Sequence, residues 1–114
     1  MHIELLREHC MSLTSVTEEF PFDNDTLVFK VAGKMFALTS LSNPTSVNVK
    51  CDPELSEELR GNYNAVKPGY HMNKIHWNTV TFNEDVTDAH LLQMVDDSYN
   101  LVVKSLPKKI RESL

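Results

Sequence analysis

The sequence predicts an α+β protein in which an antiparallel sheet carries helices packed on one face. Three observations predict it. Apolar residues recur at helical spacing near both ends of the chain, and short alternating segments follow one another between Thr26 and Lys50. Two helix starts, Asp52-Pro53-Glu54 and Thr87-Asp88, then punctuate the strands. Hairpin strands followed by capping helices build one layer of helix on one layer of sheet, which leaves the second sheet face open.

Residues 2–13 read as a helix because Ile3, Leu6, Cys10 and Leu13 form one apolar stripe, with Glu4, Arg7 and Glu8 off it. Val16 to Phe22 is a brief strand or extended arm that Pro21 ends, and Asp23-Asn24-Asp25 is a turn. Thr26–Val31 and Met35–Leu41 flank Ala32-Gly33-Lys34, whose glycine is free to take positive φ; this predicts a hairpin. After the Asn43-Pro44 turn, Val47 and Val49 point to one face while Ser46, Asn48 and Lys50 point to the other. Asp52 caps a helix with Pro53 at its first position, Leu55 and Leu59 on its buried side, and Gly61 at its close. Pro68-Gly69 interrupts the next segment, and Ile75–Phe82 is the last strand. Thr87-Asp88 opens the longest helix, to about Leu106, with Leu92, Val95, Tyr99, Val102 and Leu106 as its core stripe. Pro107 stops it, and Lys108, Lys109 and Arg111 form a basic tail.

At 114 residues the chain is one domain, 1–114, long enough to bury a core without metal or disulfide support. Its apolar runs are too short to span a bilayer, and residues 1–15 have no signal-peptide pattern. Cys10 and Cys51 stand alone, as reduced thiols do. The expectation is a cytoplasmic protein, a monomer, with no membrane partner.

The net charge of −5 divides unevenly along the chain. Residues 26–51 and 59–83 carry Lys30, Lys34, Lys50, Arg60, Lys67 and Lys74 and no Asp or Glu, a local charge of +6. The other 63 residues hold all 16 acidic groups and five basic ones, a charge of −11. An acid-free zone is what a polyanion-binding face needs. Helix and cap preferences also gather acids elsewhere without any binding function.

Chemistry concentrates in Val66–Phe82, which holds the only tryptophan, two of the five histidines and no acid. His71 and His76 are an odd number of residues apart, so a continuous strand puts them on opposite faces, and no Cys or carboxylate lies near them. They fit polar surface or structural roles better than a metal site or a general base, and no cofactor is expected. No phosphate-binding loop, dinucleotide fingerprint, nucleophile elbow or C-x-x-C pair is present, so no catalytic residue is assigned. Trp77 fits either core packing or stacking on a base. Either a bulge near Asn78 re-phases this strand or Trp77 lies partly exposed on the open face. Asn73 and Asn78 are able to read base edges or to hold a turn. Lys30, Lys34, Lys50, Lys67 and Lys74 suit phosphate contact or protection of strand edges. With Tyr70, His71, Asn73, His76, Trp77 and Asn78 these lysines form the candidate DNA interface. A pocket for a protein or small ligand, lined by Tyr70 to Trp77, is the alternative.

Three blocks, Val31-Ala-Gly-Lys-Met-Phe36, Lys50-Cys-Asp-Pro53 and Pro68-Gly-Tyr-His-Met-Asn-Lys-Ile-His-Trp-Asn-Thr-Val80, resemble the MmcQ/YjbR family of small bacterial proteins. The resemblance runs over nearly the full length, from Glu-Glu-Phe-Pro-Phe near the start to Leu-Pro-Lys-Lys near the end. It implies a CyaY-like (frataxin-like) fold and DNA binding through a double wing of hairpins. That description places the Ala32-Gly33 hairpin and the Pro68–Val80 segment at the contact. The same fold raises iron binding at an acidic ridge, here Glu4, Glu8, Glu18, Glu19, Asp23 and Asp25, which ranks below nucleic acid because the distinctive block lies elsewhere.

Overall fold

A computed structural model describes residues 1–114. Helix α1 (Ile3–Ser12) leads into strands β1 (Val16–Glu19), β2 (Thr26–Val31), β3 (Lys34–Ser40) and β4 (Ser46–Lys50). Helix α2 (Pro53–Asn62), strands β5 (Val66–Pro68) and β6 (Trp77–Thr81), and helices α3 (Asp88–Ser105) and α4 (Lys108–Glu112) complete the chain. The six strands form one antiparallel sheet in the order β1-β2-β3-β4-β6-β5. Helices pack on one face, so the α+β architecture predicted from the sequence is the one observed.

The helix starts work as their residues dictate. The Asp52 carboxylate accepts from the Glu54 and Leu55 amides, and the Thr87 hydroxyl oxygen from that of His90. The β2–β3 turn is Ala32-Gly33, two residues with φ of 49° and 76°, a geometry whose twist suits a tight hairpin. In the main core, Leu27, Phe29, Val31, Val47, Val49 and Val80 from the sheet meet Leu6 and Cys10 of α1 and Leu91, Val95 and Val102 of α3.

The register slips once. Phe29 pairs with Ala37 but Lys30 pairs with Met35, so Phe36 is a bulge residue. Phe36 and Ala37 are therefore both buried in the main core. The bulge is bridged by Ser98 of α3, whose hydroxyl donates to the Phe36 carbonyl (2.6 Å) and accepts from the Lys50 amide (2.8 Å).

Several expectations need correction. The first strand ends at Glu19, before Pro21, and the last begins at Trp77, because residues 73–76 form a turn. The longest helix buries Leu91, Met94, Val95, Ser98 and Val102, and Leu92 is only half-buried. The buried stripe is centred on a serine that hydropathy does not flag. Leu55 is exposed and Ser56 is buried in its place, under the Asn78 amide. The basic tail is partly helical, as α4.

Candidate nucleic-acid interface

Residues paired across an antiparallel ladder share a face. The register Leu38–Asn48–Thr79–Lys67 therefore forms one row across the open face, and Lys50–Trp77 lies in the next. Val28 and Lys30 of β2 share this face with their partners Leu38 and Met35. Val28, Leu38 and Trp77 form a small second core here, with Met35 and Met72 packed against it. Trp77 thus stands on the open face and is nevertheless buried. The β4–β6 register is continuous, so no bulge near Asn78 is involved. Among the exposed aromatics, stacking chemistry falls instead to Tyr70 (69% exposed) and Phe22 (64%).

The segment between β5 and β6 is a loop held by its own hydrogen bonds. Gly69 N–H donates to the Trp77 carbonyl (2.8 Å), and a Cβ added at Gly69 would lie 2.8 Å from Trp77 Cβ. Asn73 Oδ1 accepts from the Ile75 (2.9 Å) and His76 (3.3 Å) amides, and its carbonyl accepts from Trp77 N–H (3.0 Å). Tyr70 N–H donates to Thr79 Oγ1 (2.9 Å), which donates in turn to Asn48 Oδ1. His71 takes φ of 59°, and its ring lies 4.0 Å, centre to centre, from that of Tyr70. Both histidines are exposed.

These contacts give several residues of the expected interface structural partners. Asn78, 1% exposed, points to the helix layer. Its Oδ1 accepts from Arg60 Nε (2.8 Å) and its Nδ2 donates to Ser56 Oγ (3.3 Å). Arg60 also donates to the Lys74 and Trp77 carbonyls, so its guanidinium clamps the loop. Asn73 is occupied as a turn cap. Lys30 pairs with Glu19 (3.1 Å), an acid from outside the acid-free stretch, and Lys74 Nζ donates to the Gly69 carbonyl (3.0 Å). Lys34 is exposed at the hairpin tip, but its partner is the core residue Val31, which sets it apart from the open-face lysines. Lys50, half-buried, and Lys67, exposed, remain on the open face without a salt bridge, although Lys67 lies near enough to Asp85 to help lower its pKa. Strands β2 to β6 contribute no Asp or Glu at all.

Beside this row lies a groove of about 450 Å³, between Thr26, Leu38, Ser40 and Asn48 of the sheet, Phe22 of the β1–β2 link, and Tyr70, His71 and Met72. Position-by-position sequence reading missed Phe22 and Asn48 as lining residues. Phe22 looked like the end of a strand, and only the tertiary fold brings it opposite the Tyr70 loop. A smaller cleft of about 220 Å³ on the helix side touches Cys51, Asp52, Asp97 and Lys104. Burial pushes the Cys51 thiol above its ordinary value and Cys10 up to about 12, which makes both poor nucleophiles at neutral pH.

Four of the six acids of the ridge have partners within the chain. Glu18 pairs with Arg7 and Glu19 with Lys30. Asp23 accepts from the Asp25 and Thr26 amides, and Asp25 from the Ser40 hydroxyl and the Ser42 amide. No group of three or more His, Cys, Asp or Glu side chains gathers at a point that could hold a metal ion. No helix is long and apolar enough to cross a membrane.

Fold and site together define an α+β domain whose antiparallel sheet has one face under helices and one face carrying a groove with exposed aromatics and lysines. The YjbR family model matches residues 11–101, and the chain belongs to that family. It is 39% identical over 107 residues to the uncharacterized protein YbdF of Escherichia coli O157:H7, covering 93% of this chain and 88% of that one. It is 33% identical over 115 residues to the uncharacterized protein YjbR of Escherichia coli K12, covering 100% and 98%. Among solved structures, the Deinococcus radiodurans protein DR2400, a DUF419 domain, superposes with a TM-score of 0.91 at 41% identity, over 96% of this chain and 85% of that one. A Pseudomonas syringae protein with a TM-score of 0.75 and 24% identity shares the fold, over 89% and 98%.

Proposed function

We propose that this chain is a non-enzymatic, monomeric, cytoplasmic protein that binds nucleic acid, DNA foremost, through its open sheet face. The observation that carries the reading is the charge on that face. Strands β2 to β6 bring it no carboxylate, the one strand acid on it, Glu19 of β1, is paired with Lys30, and Lys50 and Lys67 stand on it without a salt bridge beside exposed Tyr70 and His71. Phosphates are held by this kind of side chain, and contacts to them position a ligand without specifying its sequence. In this reading the loop-bearing β5–β6 hairpin is the wing that carries the contact, the β2–β3 hairpin is a second wing whose tip, with Lys34, stands off the open face, and the half-covered sheet is a CyaY-like arrangement. Titration with duplex DNA at low and at moderate salt tests it. Affinity in the non-specific range, a Kd of ~10⁻⁴ to 10⁻⁶ M at physiological salt and much tighter at low salt, is the expected outcome. Absence of binding to both duplex and single-stranded DNA at low salt contradicts it.

The groove favours a second reading. Its volume of about 450 Å³ falls within the range of small-molecule sites, and Phe22, Leu38 and Met72 give it apolar surface. A neutral small molecule held there would bind with affinity insensitive to salt, and nucleic acid would not.

A further inference from the structure

Resting on the nucleic-acid reading, we infer that the groove takes one unstacked base of a single strand, so that single-stranded nucleic acid is preferred over duplex. Phe22 and Tyr70 line the groove from links toward opposite edges of the sheet, one from the β1–β2 link and the other from the β5–β6 loop. Both rings are mostly exposed, Tyr70 with the His71 ring against it, although large aromatics are normally buried. A base is a flat ring, and aromatic faces bind it whatever its sequence. A base inside a duplex is stacked on its neighbours and cannot enter.

The polar groups agree with that occupant. Asn48, which lines the groove, accepts the Thr79 hydroxyl at Oδ1, which fixes the amide and leaves Nδ2 as a donor without a protein partner. Ser40 donates to Asp25, so its oxygen is oriented as well. A base edge offers acceptors for such a donor. The cations are placed for the backbone of the same strand. Lys50 lies two residues from Asn48 on the same face of β4, about 7 Å along the strand. Lys67 is two strands across from Asn48, about 10 Å, in the same row. A base in the groove thus puts its flanking phosphates within reach of long lysine side chains, the charge complementarity that a neutral ligand lacks.

The test compares three probes of one length on the full chain: a single-stranded oligonucleotide, its duplex, and a strand with abasic sites. The single strand is expected to bind about tenfold more tightly than either of the others. Phe22→Ala and Tyr70→Ala are each expected to lose about fivefold or more of that affinity, and Tyr70→Phe to retain it. Both sites are exposed, so near-ultraviolet circular dichroism of Trp77 is expected to stay unchanged and to report that the variants fold. Equal binding of duplex and single strand, with no effect of the aromatic variants, overturns the base-in-groove inference and leaves the phosphate-binding face standing. Failure of all three probes to bind at low salt overturns both.

Discussion

Gly69 and Asp85 show how single residues set the shape of the interface without belonging to it. At Gly69 a methyl group would meet Trp77 Cβ at 2.8 Å, Met72 Cβ at 3.0 Å and the Trp77 carbonyl oxygen at 3.1 Å. Gly69→Ala therefore pushes the loop off the second small core. The expected loss is about 1–3 kcal/mol in urea unfolding, as for other overpacked sites, with a changed Trp77 emission spectrum. Asp85 accepts from the Asn64 amide (2.7 Å) and the Ala65 amide (2.8 Å), which fixes the entry to β5. Those two bonds hold its carboxyl below the ordinary value of 3.8, the Asn64 bond most. A lowered folded pKa stabilises fully above the unfolded value and is lost as pH falls through the folded one. Asp85→Asn is thus expected to lower Tm at pH 7, and the gap from the natural chain should narrow below about pH 3.8. At this scale the sequence was a partial guide. It marked Asn73 and Asn78 as capable of either reading bases or holding structure. Only the placement of Arg60 and Ser56 around Asn78, 18 and 22 residues away, settles the second role.

Elements were more legible than side chains wherever a local signal exists. The Asp52-Pro53 and Thr87-Asp88 starts and the Ala32-Gly33 hairpin lie where their residue types require, because caps and tight turns are satisfied within a few residues. The phase of α3 and the bulge at Phe36 were not legible, since each depends on the other. The bulge leaves the Phe36 carbonyl outside the regular β2–β3 pairing, and a serine on the inner face of α3 serves both it and the Lys50 amide. A buried hydroxyl with two partners behaves as a core residue although its hydropathy says otherwise. Ser98→Ala would strand both backbone groups at a cost of about 1–3 kcal/mol. Ser98→Val fills the space without restoring either bond, and is expected to be no more stable than Ser98→Ala.

Over the whole molecule, the +6 zone seen along the chain does not survive folding as one patch. Glu19 reaches Lys30 from the edge strand, Arg60 turns inward, Lys74 caps a carbonyl, and Lys34 stands at a separate tip. Sequence distance could not show this, because each partner lies on another element or in the loop's own fold. What remains is smaller and better defined: Lys50, Lys67 and the aromatic groove on one face. The most direct test of that face is the salt dependence of oligonucleotide affinity for three variants. Each phosphate contact to a single strand adds about 0.7 to the magnitude of the log–log salt slope. The double variant Lys50→Gln/Lys67→Gln is expected to lose about 1.4 from it, alike on any sequence, and Lys34→Gln to lose nothing. Lys74→Gln is expected to reduce thermal stability more than the slope. A slope unchanged in the double variant and reduced in Lys34→Gln would contradict the open face as the site of contact.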